Sequence, residues 1–313
     1  MSPAHKTRQR THIYPGSCYC CCAPIPPQKK YCPPCRRLTN QGERQAIADA
    51  LKAAWDPAAK GFRCYYTGII LELFDLTSPW YITFDHRIPG KKGDLVACAA
   101  WVNVMKSQLS ENEFKAVIKE LARSRAAGEP FNMAVAKFEY WIGFARPKPL
   151  KPDLLTNLRL PKFGNCFICS STTYPFSPYC PPCRRFIIEG NFHKEHVAGM
   201  KAVWDKERKA FYCSMIGVKL DIHDNTSPVF MSFDHRIPGE KDTIWVVAIF
   251  INIMKNALSE DEFWLVVKEL ARHFQTQEAF NKDIIKFAYW KGWYRAKMRA
   301  MRARRLAAKA RRK

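Results

Sequence analysis

The 313-residue sequence predicts an α+β protein that contains two tandem copies of one module. Three observations carry this prediction: an internal duplication, a repeated set of cysteine pairs, and one shared order of helical and β-prone stretches. Residues 31–37 (YCPPCRR) recur letter for letter at 179–185, and residues 84–90 (FDHRIPG) recur at 233–239. The offset is 148 residues early and 149 residues later, so each copy has the length of a complete domain.

The duplication divides the chain into five segments. They are a basic N-terminal arm (1–15), a first module (16–146), a linker (147–163), a second module (164–295) and a basic C-terminal tail (296–313). The linker is rich in Pro, Lys and Leu, and we expect extended stretches in it. The tail either extends the last helix along a phosphate backbone or ends as a solvated, frayed terminus. Its arginines expected to contact nucleic acid are Arg302, Arg304, Arg305, Arg311 and Arg312.

Hydrophobic periodicity predicts the elements inside each copy. In the first copy they are a helix ending near Trp55, β-prone stretches at 62–73 and 80–84, a loop, a short helix at 99–107 and an aromatic-rich helix at 131–144. Ser110-x-x-Glu113 is a capping box that opens a further helix, and Ser259-x-x-Glu262 is its counterpart in the second copy. Phe138, Tyr140 and Trp141 are predicted core residues of the closing helix.

The charge balance indicates a polyanionic partner. Lys and Arg number 51 against 28 Asp and Glu, which gives a net charge of +23. Nucleic acid offsets such a surplus through phosphate contacts and counterion release, whereas the alternative is a charge that only aids solubility. No apolar run has the roughly 18 residues of a membrane span, and the basic N-terminus has no apolar stretch. We therefore expect neither membrane association nor secretion.

Eight of the 13 cysteines form CxxC pairs with identical spacing in both copies. They are Cys18, Cys21, Cys32, Cys35, Cys166, Cys169, Cys180 and Cys183. Two such pairs supply four thiolates, the tetrahedral shell that structural zinc prefers. Ile168 and Ser170 stand where the first copy has Cys20 and Cys22, so the comparison of copies excludes these two cysteines as ligands. Without a secretion signal the pattern favours zinc in a reducing, intracellular compartment over disulfides.

Each copy also carries an Asp-His pair at a strand end and an Asn-x-x-Lys sequence on the helix that follows. The residues are Asp85, His86, Asn103 and Lys106 in the first copy, and Asp234, His235, Asn252 and Lys255 in the second. Histidine suits a general base because its pKa lies near neutral pH. Carboxylate and amide oxygens suit Mg²⁺. The alternative for each histidine is a structural side chain bonded to backbone.

These residues resemble the HNH endonucleases, whose ββα-metal core consists of two strands and a helix around one cation. The resemblance covers roughly half of each copy and rests on Tyr66-Thr67-Gly68, Ser78-Pro79, Phe84-Asp85-His86 and Cys98-x4-Asn103-x2-Lys106. It implies two tandem ββα-metal modules with surrounding helices. It also implies that His86 and His235 are general bases, while Asp85 with Asn103 and Asp234 with Asn252 hold the metal. Asp94 and Thr243 stand where the family has a middle Asn that orients the base.

A tandem chain of zinc and HNH-like modules is similar to homing or rare-cutting endonucleases. The resemblance implies a site-specific, metal-dependent phosphodiester hydrolase that acts on double-stranded DNA as a monomeric pseudo-dimer, with one active site per repeat. Its cofactors would be two structural Zn²⁺ and up to two Mg²⁺ or similar cations. We expect Lys106 and Lys255 at the nucleic acid, whereas Arg87 and Arg236 either clamp a phosphate or pair with a carboxylate. The alternative function is a non-catalytic, HNH-derived RNA-binding protein, for example of an organellar ribosome.

Overall fold

The computed structural model describes residues 16–40, 42–143, 164–173, 178–188, 193–240 and 243–290. The predicted N-terminal arm, linker and C-terminal tail, with its five arginines, lie outside these residues. The chain divides into two compact units, Met1–Leu76 with Trp80–Ala100, and Thr77–Pro79 with Trp101–Lys313. The division therefore falls inside the first repeat, and the second unit combines that repeat's later helices with the whole second repeat.

The first unit opens with two helices and a pair of short strands. They are α1 (Pro33–Thr39), α2 (Arg44–Ala54), β1 (Trp55–Asp56) and β2 (Gly61–Phe62). The α2 helix buries Ile47 and Leu51, which share one helical face. It ends one residue before Trp55, which pairs with Phe62 across β1 and β2. The predicted end of this helix is confirmed.

An antiparallel hairpin completes the first unit. Its strands are β3 (Ile82–His86) and β4 (Leu95–Ala99), with a register that runs from Ile82↔Ala99 to His86↔Leu95. The prediction of a loop at β4 is wrong, because this segment pairs with β3 along its whole length and packs on α2. The β-prone stretch 62–73 contributes only the last residue of β2, and beyond it makes two isolated bridges.

The later elements of the first repeat are α3 (Ala100–Lys106), α4 (Glu111–Ala127) and a 3-10 turn (Met133–Val135). Ser110 caps α4 as predicted. Its hydroxyl oxygen accepts from the backbone N–H of Glu113, and the Glu113 carboxylate accepts from the backbone N–H of Ser110. The predicted helix at 131–144 is wrong. Within residues 131–143 the helical element is the 3-10 turn, and Phe138 has a φ of 53°, which a right-handed helix cannot contain. The backbone N–H of Phe131 donates to the carbonyl of Ile216. Phe138 is nevertheless a buried core residue.

The second repeat begins with an additional pair of short strands and then has the same order of elements as the first. They are β5 (Gly164–Asn165), β6 (Thr172–Thr173), α5 (Pro181–Ile188), α6 (His193–Ala202), β7 (Trp204–Asp205), β8 (Ala210–Phe211), β9 (Met231–His235), β10 (Ile244–Ala248), α7 (Ile249–Lys255), α8 (Glu260–Thr276) and a 3-10 turn (Lys282–Ile284). The β9–β10 register matches that of β3 and β4 residue for residue. The capping box predicted at Ser259 and Glu262 is confirmed. None of the helices in the described ranges is long and apolar enough to cross a bilayer.

Within the second unit, the closing segment of each repeat (131–143 in the first, 280–290 in the second) packs on a helix of the other repeat. The Phe131 ring lies 5.8 Å from that of Phe250 on α7. Reciprocally, the rings of Phe280 and Phe287 lie 5.8 Å and 5.6 Å from that of Trp101 on α3. Helices α4 and α8 also pack against each other. The later helices of the first repeat and the second repeat therefore share one apolar core.

Candidate metal centres and Asp-His hairpins

Four sulfur atoms converge in each repeat, and within each group all of them lie within 4.8 Å of one another. The groups are Cys18, Cys21, Cys32 and Cys35, and Cys166, Cys169, Cys180 and Cys183. Cys21 Sγ lies 3.6 Å from Cys32 Sγ, and the equivalent distance in the second group is 3.5 Å. A tetrahedral zinc ion with Zn–S bonds of about 2.3 Å separates its sulfurs by roughly 3.8 Å. Both groups could therefore hold a zinc ion, as the spacing predicts.

Backbone N–H groups prepare one thiol of each group for a metal. Burial alone would raise the pKa of Cys18, but N–H groups of Cys32, Cys21 and Cys20 outweigh burial and lower the pKa to about 7. The amide of Cys32, which lies 3.3 Å from Cys18 Sγ, is the first of these donors. Cys166 has the same environment, and its pKa is likewise lowered to about 7. A thiolate near neutral pH is the form that binds metal.

In the second pair of each group, which lies at the start of α1 or α5, burial outweighs the hydrogen bonds at the first cysteine. It raises the pKa of Cys32 to about 11 and that of Cys180 to about 11. A coordinated cation deprotonates such thiols, so metal loading would release protons. Cys20 is buried but belongs to neither group, which agrees with its exclusion by the comparison of copies.

In the second repeat, β9, β10 and α7 pack as a strand–strand–helix unit. Asn252 on α7 is bonded to β9, because its Nδ2 atom donates to the carbonyl of Phe233 at 2.8 Å and to Ser232 Oγ at 2.8 Å. Both amide hydrogens are directed at the strand. The amide oxygen is therefore the atom of Asn252 that can act as a ligand.

Lys255 holds the Asp-His pair from the same helix. Its Nζ atom lies 3.0 Å from Asp234 Oδ2 and donates to the carbonyl of His235 at 2.7 Å. Burial raises the pKa of the Asp234 carboxyl, although the ammonium group of Lys255 opposes this. Lys255 is 1% exposed and Lys106 is fully buried. This burial contradicts the prediction that the two lysines contact nucleic acid, because a buried ammonium group cannot reach a surface phosphate.

In the first repeat, the first unit holds Asp85 and His86 at the end of β3. Tyr66 donates its hydroxyl hydrogen to Asp85 Oδ2 at 2.7 Å. The Nδ1 atom of His86 lies 2.8 Å from the carbonyl of Lys91. A carbonyl only accepts, so Nδ1 carries the proton and Nε2 is left as the basic nitrogen. Asn103 lies on α3, in the second unit.

The two arginines that follow the histidines pair with carboxylates. Arg87 donates from Nε to Asp94 Oδ1 at 2.7 Å, and Arg236 donates from Nε to Glu260 Oε2 at 2.9 Å. Of the two alternatives for these arginines, the carboxylate pair is the one observed. Asp94, which stands where the HNH resemblance leads one to expect a middle Asn, pairs with Arg87. The backbone carbonyl of Lys91 orients the His86 ring.

No family model, curated protein or solved structure matches this chain. Sequence reasoning missed Tyr66 and Lys255 as neighbours of the aspartates. Lys255 lies three residues after Asn252 on α7, hence on the same helical face, and this spacing is the signal that could have placed it at the site. The sequence offers no comparable signal for Tyr66, because its bond to Asp85 joins residues 19 positions apart.

Proposed function

We propose that the protein is a metal-dependent DNA endonuclease with one active site in each repeat. One observation carries the proposal: Asp234, His235 and Asn252 come together in a single strand–strand–helix unit. The 2.8 Å bond from Asn252 to the backbone of β9 fixes the amide beside the strand that ends in Asp234 and His235. A carboxylate, an amide oxygen and an imidazole in one place are the groups that metal-assisted phosphodiester hydrolysis requires.

The donor set fits a hard cation. Asp234 and Asn252 offer a carboxylate and an amide oxygen, and Mg²⁺ completes its shell with waters and substrate phosphate oxygens. When bound, the cation would polarise the scissile phosphate. Lys255 forms an ion pair with Oδ2 of the Asp234 carboxylate. His235 would accept the proton of the attacking water, and His86 would do so in the first repeat from Nε2, because the Lys91 carbonyl holds its Nδ1 proton.

The remaining features support a nucleic-acid substrate. The net charge of +23 favours binding of a polyanion. Each four-cysteine group has no open coordination position once closed by zinc, so it would serve as a structural staple and leave the chemistry to the Asp-His hairpins. Two active sites on one chain would allow both strands of a duplex to be cut by a monomer.

A second candidate is a non-catalytic RNA-binding protein, and one contact favours it. The buried ammonium group of Lys255 already neutralises much of the Asp234 charge that would attract a cation. In this alternative the ion pair is a structural remnant, and the basic surface binds RNA through its phosphates. The two candidates differ in a single observable, which is hydrolysis that depends on a divalent cation.

Cleavage of supercoiled plasmid and genomic DNA with Mg²⁺ or Mn²⁺ tests the proposal. We expect His86→Ala to nick one strand only, His235→Ala to nick the opposite strand, and the double variant to bind without cutting. Each loss should exceed about 1,000-fold, roughly 4 kcal/mol of activation free energy, because the general base is removed. His223→Ala, at an exposed histidine of the second repeat, is the matched control and should keep full activity.

If the wild-type protein shows no cation-dependent cleavage of a DNA pool that includes its own genome, the endonuclease proposal is wrong. Tight, salt-dependent binding of RNA without cleavage would then support the second candidate.

A further inference from the structure

The two Asp-His hairpins differ at one buried position that faces the aspartate in the first repeat. Tyr66 and Met215 occupy the same place in the two repeats, 149 residues apart. In both repeats the residue before them donates its backbone N–H to the second strand of the hairpin at 2.9 Å. The two side chains are 2% and 7% exposed, so both belong to the core beneath the hairpin.

Of these two core side chains, the tyrosine alone can donate a hydrogen bond to the aspartate. Its hydroxyl donates to Asp85 Oδ2 at 2.7 Å, and Asp85 is itself 6% exposed. Met215 has no donor, and the contact that Asp234 makes at Oδ2 is the ion pair with Lys255. The first repeat also buries a lysine at the equivalent position, Lys106, so a buried lysine is common to both repeats and the tyrosine hydroxyl is not.

Packing alone does not require this hydroxyl. Met215 fills the same core position without a polar atom, and the β9–β10 hairpin keeps the register of β3 and β4. Burying a hydroxyl has a free-energy cost that its hydrogen bond must offset. The hydrogen bond to Asp85 is therefore better explained by its effect on the orientation of the carboxylate than by a contribution to the stability of the fold.

We propose that Tyr66 is a positioning residue that makes Asp85 bind the divalent cation more tightly than Asp234 does, so that the two strands of a duplex are cut in a fixed order. The inference rests on the proposed function. A hydrogen bond to a ligating carboxylate fixes its rotation before the metal arrives, and loss of such a partner typically lowers metal affinity by about 10- to 100-fold. The first repeat would load its cation at the lower concentration and cut first.

Titration of the zinc-loaded, full-length protein with Mn²⁺, with free Mn²⁺ followed by electron paramagnetic resonance, tests this without any cleavage reaction. We expect two classes of site whose affinities differ by about 10- to 100-fold. Asp85→Asn should remove the tighter class and Asp234→Asn the weaker one. Tyr66→Phe, which removes only the hydroxyl, should weaken the tighter class by about the same factor and leave the other unchanged. Met215→Leu is the matched control and should alter neither class.

Equal affinities in the wild-type protein would overturn the inference, and so would a Tyr66→Phe variant with unaltered Mn²⁺ binding. Either outcome leaves the proposed endonuclease intact, because both sites would still bind cations. If neither Asp85→Asn nor Asp234→Asn reduces Mn²⁺ binding relative to the wild type, the proposed function is wrong together with the inference. Thermal unfolding of Tyr66→Phe beside the wild type shows whether a loss of the tighter Mn²⁺ sites is accompanied by a loss of the folded structure.

Discussion

The two repeats agree in their cysteine groups and their hairpin register, and they differ at several positions that face solvent. Both bring four sulfur atoms within 4.8 Å and keep one hairpin register. Yet Ile70 and Phe74 are exposed on the first repeat, where the second has Lys219 and His223. The features that both copies keep are those that build the fold, whereas the exposed positions named here differ without altering the hairpin register or the cysteine groups.

Each repeat is completed in part by the other. The closing segments cross over, since Phe131 of the first repeat contacts Phe250 of the second and Phe280 of the second contacts Trp101 of the first. Neither closing segment buries its aromatic residues within its own repeat alone. The zinc groups, in contrast, are each formed from a single short stretch of one repeat. The copies are therefore independent at their cysteine groups and interdependent at their closing segments.

Removal of zinc should have the largest effect and should affect both repeats alike. Elemental analysis should find about two zinc ions per chain, and a chelator should unfold the cysteine segment of each repeat. Apparent binding free energies of structural zinc are about 10–16 kcal/mol, more than the stability of most domains. Cys32→Ser and Cys180→Ser should each lose one zinc ion, whereas Cys20→Ser should lose none. Unchanged stability of the metal-free chain would contradict the zinc assignment.

Truncation of the crossed aromatic contacts should have the next largest effect. Phe250→Ala should lower the free energy of unfolding of the second unit by about 3–5 kcal/mol, because the ring is 1% exposed and anchors the other repeat's closing segment. Hydrogen exchange should show lost protection at residues 131–138, which belong to the first repeat. Leu265→Ala, at a 44% exposed position, is the control and should change stability by less than about 0.5 kcal/mol. Exchange that increases only within the second repeat would argue against interdependence.

Local signals in the sequence predicted the local features of the fold. The cysteine spacing, the two capping boxes and the end of α2 each depend on residues close in the chain, and all three are found in the structure. The strand β4 was missed because residues 95–102 form a nearly continuous apolar run, in which a buried strand and a buried helix look the same. Only pairing with β3 separates the strand from α3.

Long-range contacts account for the other differences. The aromatic spacing at 131–144 suited a helix, but Phe131 and Phe138 pack on Phe250 of the other repeat, and the φ of 53° at Phe138 is incompatible with a right-handed helix. A lysine normally indicates surface, and Lys255 is buried because Asp234 compensates its charge. The orientation of His86 depends on a backbone carbonyl, which any residue at position 91 would supply. Sequence patterns contain no signal for such partners.

The smallest predicted effect tests whether α4 and α8 are equivalent. Glu269 accepts hydrogen bonds from Arg272 Nη2 at 2.6 Å and from the backbone N–H of Asn281 at 2.7 Å, and Glu120 makes the same pair of bonds in the first repeat. The bond from Arg272 lowers the pKa of Glu269 below its ordinary value. The corresponding arginine lowers that of Glu120. Both carboxylates therefore tie a long helix to the closing segment of their own repeat.

Because the folded pKa is below the unfolded one, the unfolded state binds more protons in this range and stability rises with pH. The contribution is complete above the unfolded pKa of about 4.3 and is lost as pH falls through the folded value. Glu269→Gln should lower the free energy of unfolding by about 1–2 kcal/mol at neutral pH. The difference in free energy of unfolding between this variant and the wild type should vanish in acid. Both proteins lose zinc at low pH, so that loss cancels when the two are compared at the same pH. Glu120→Gln should match it in urea titrations, while Glu278→Gln, at a 69% exposed side chain, should change little. Unequal losses at Glu120 and Glu269 would mean that the two closing segments, though alike in bonding, contribute unequally to the shared core.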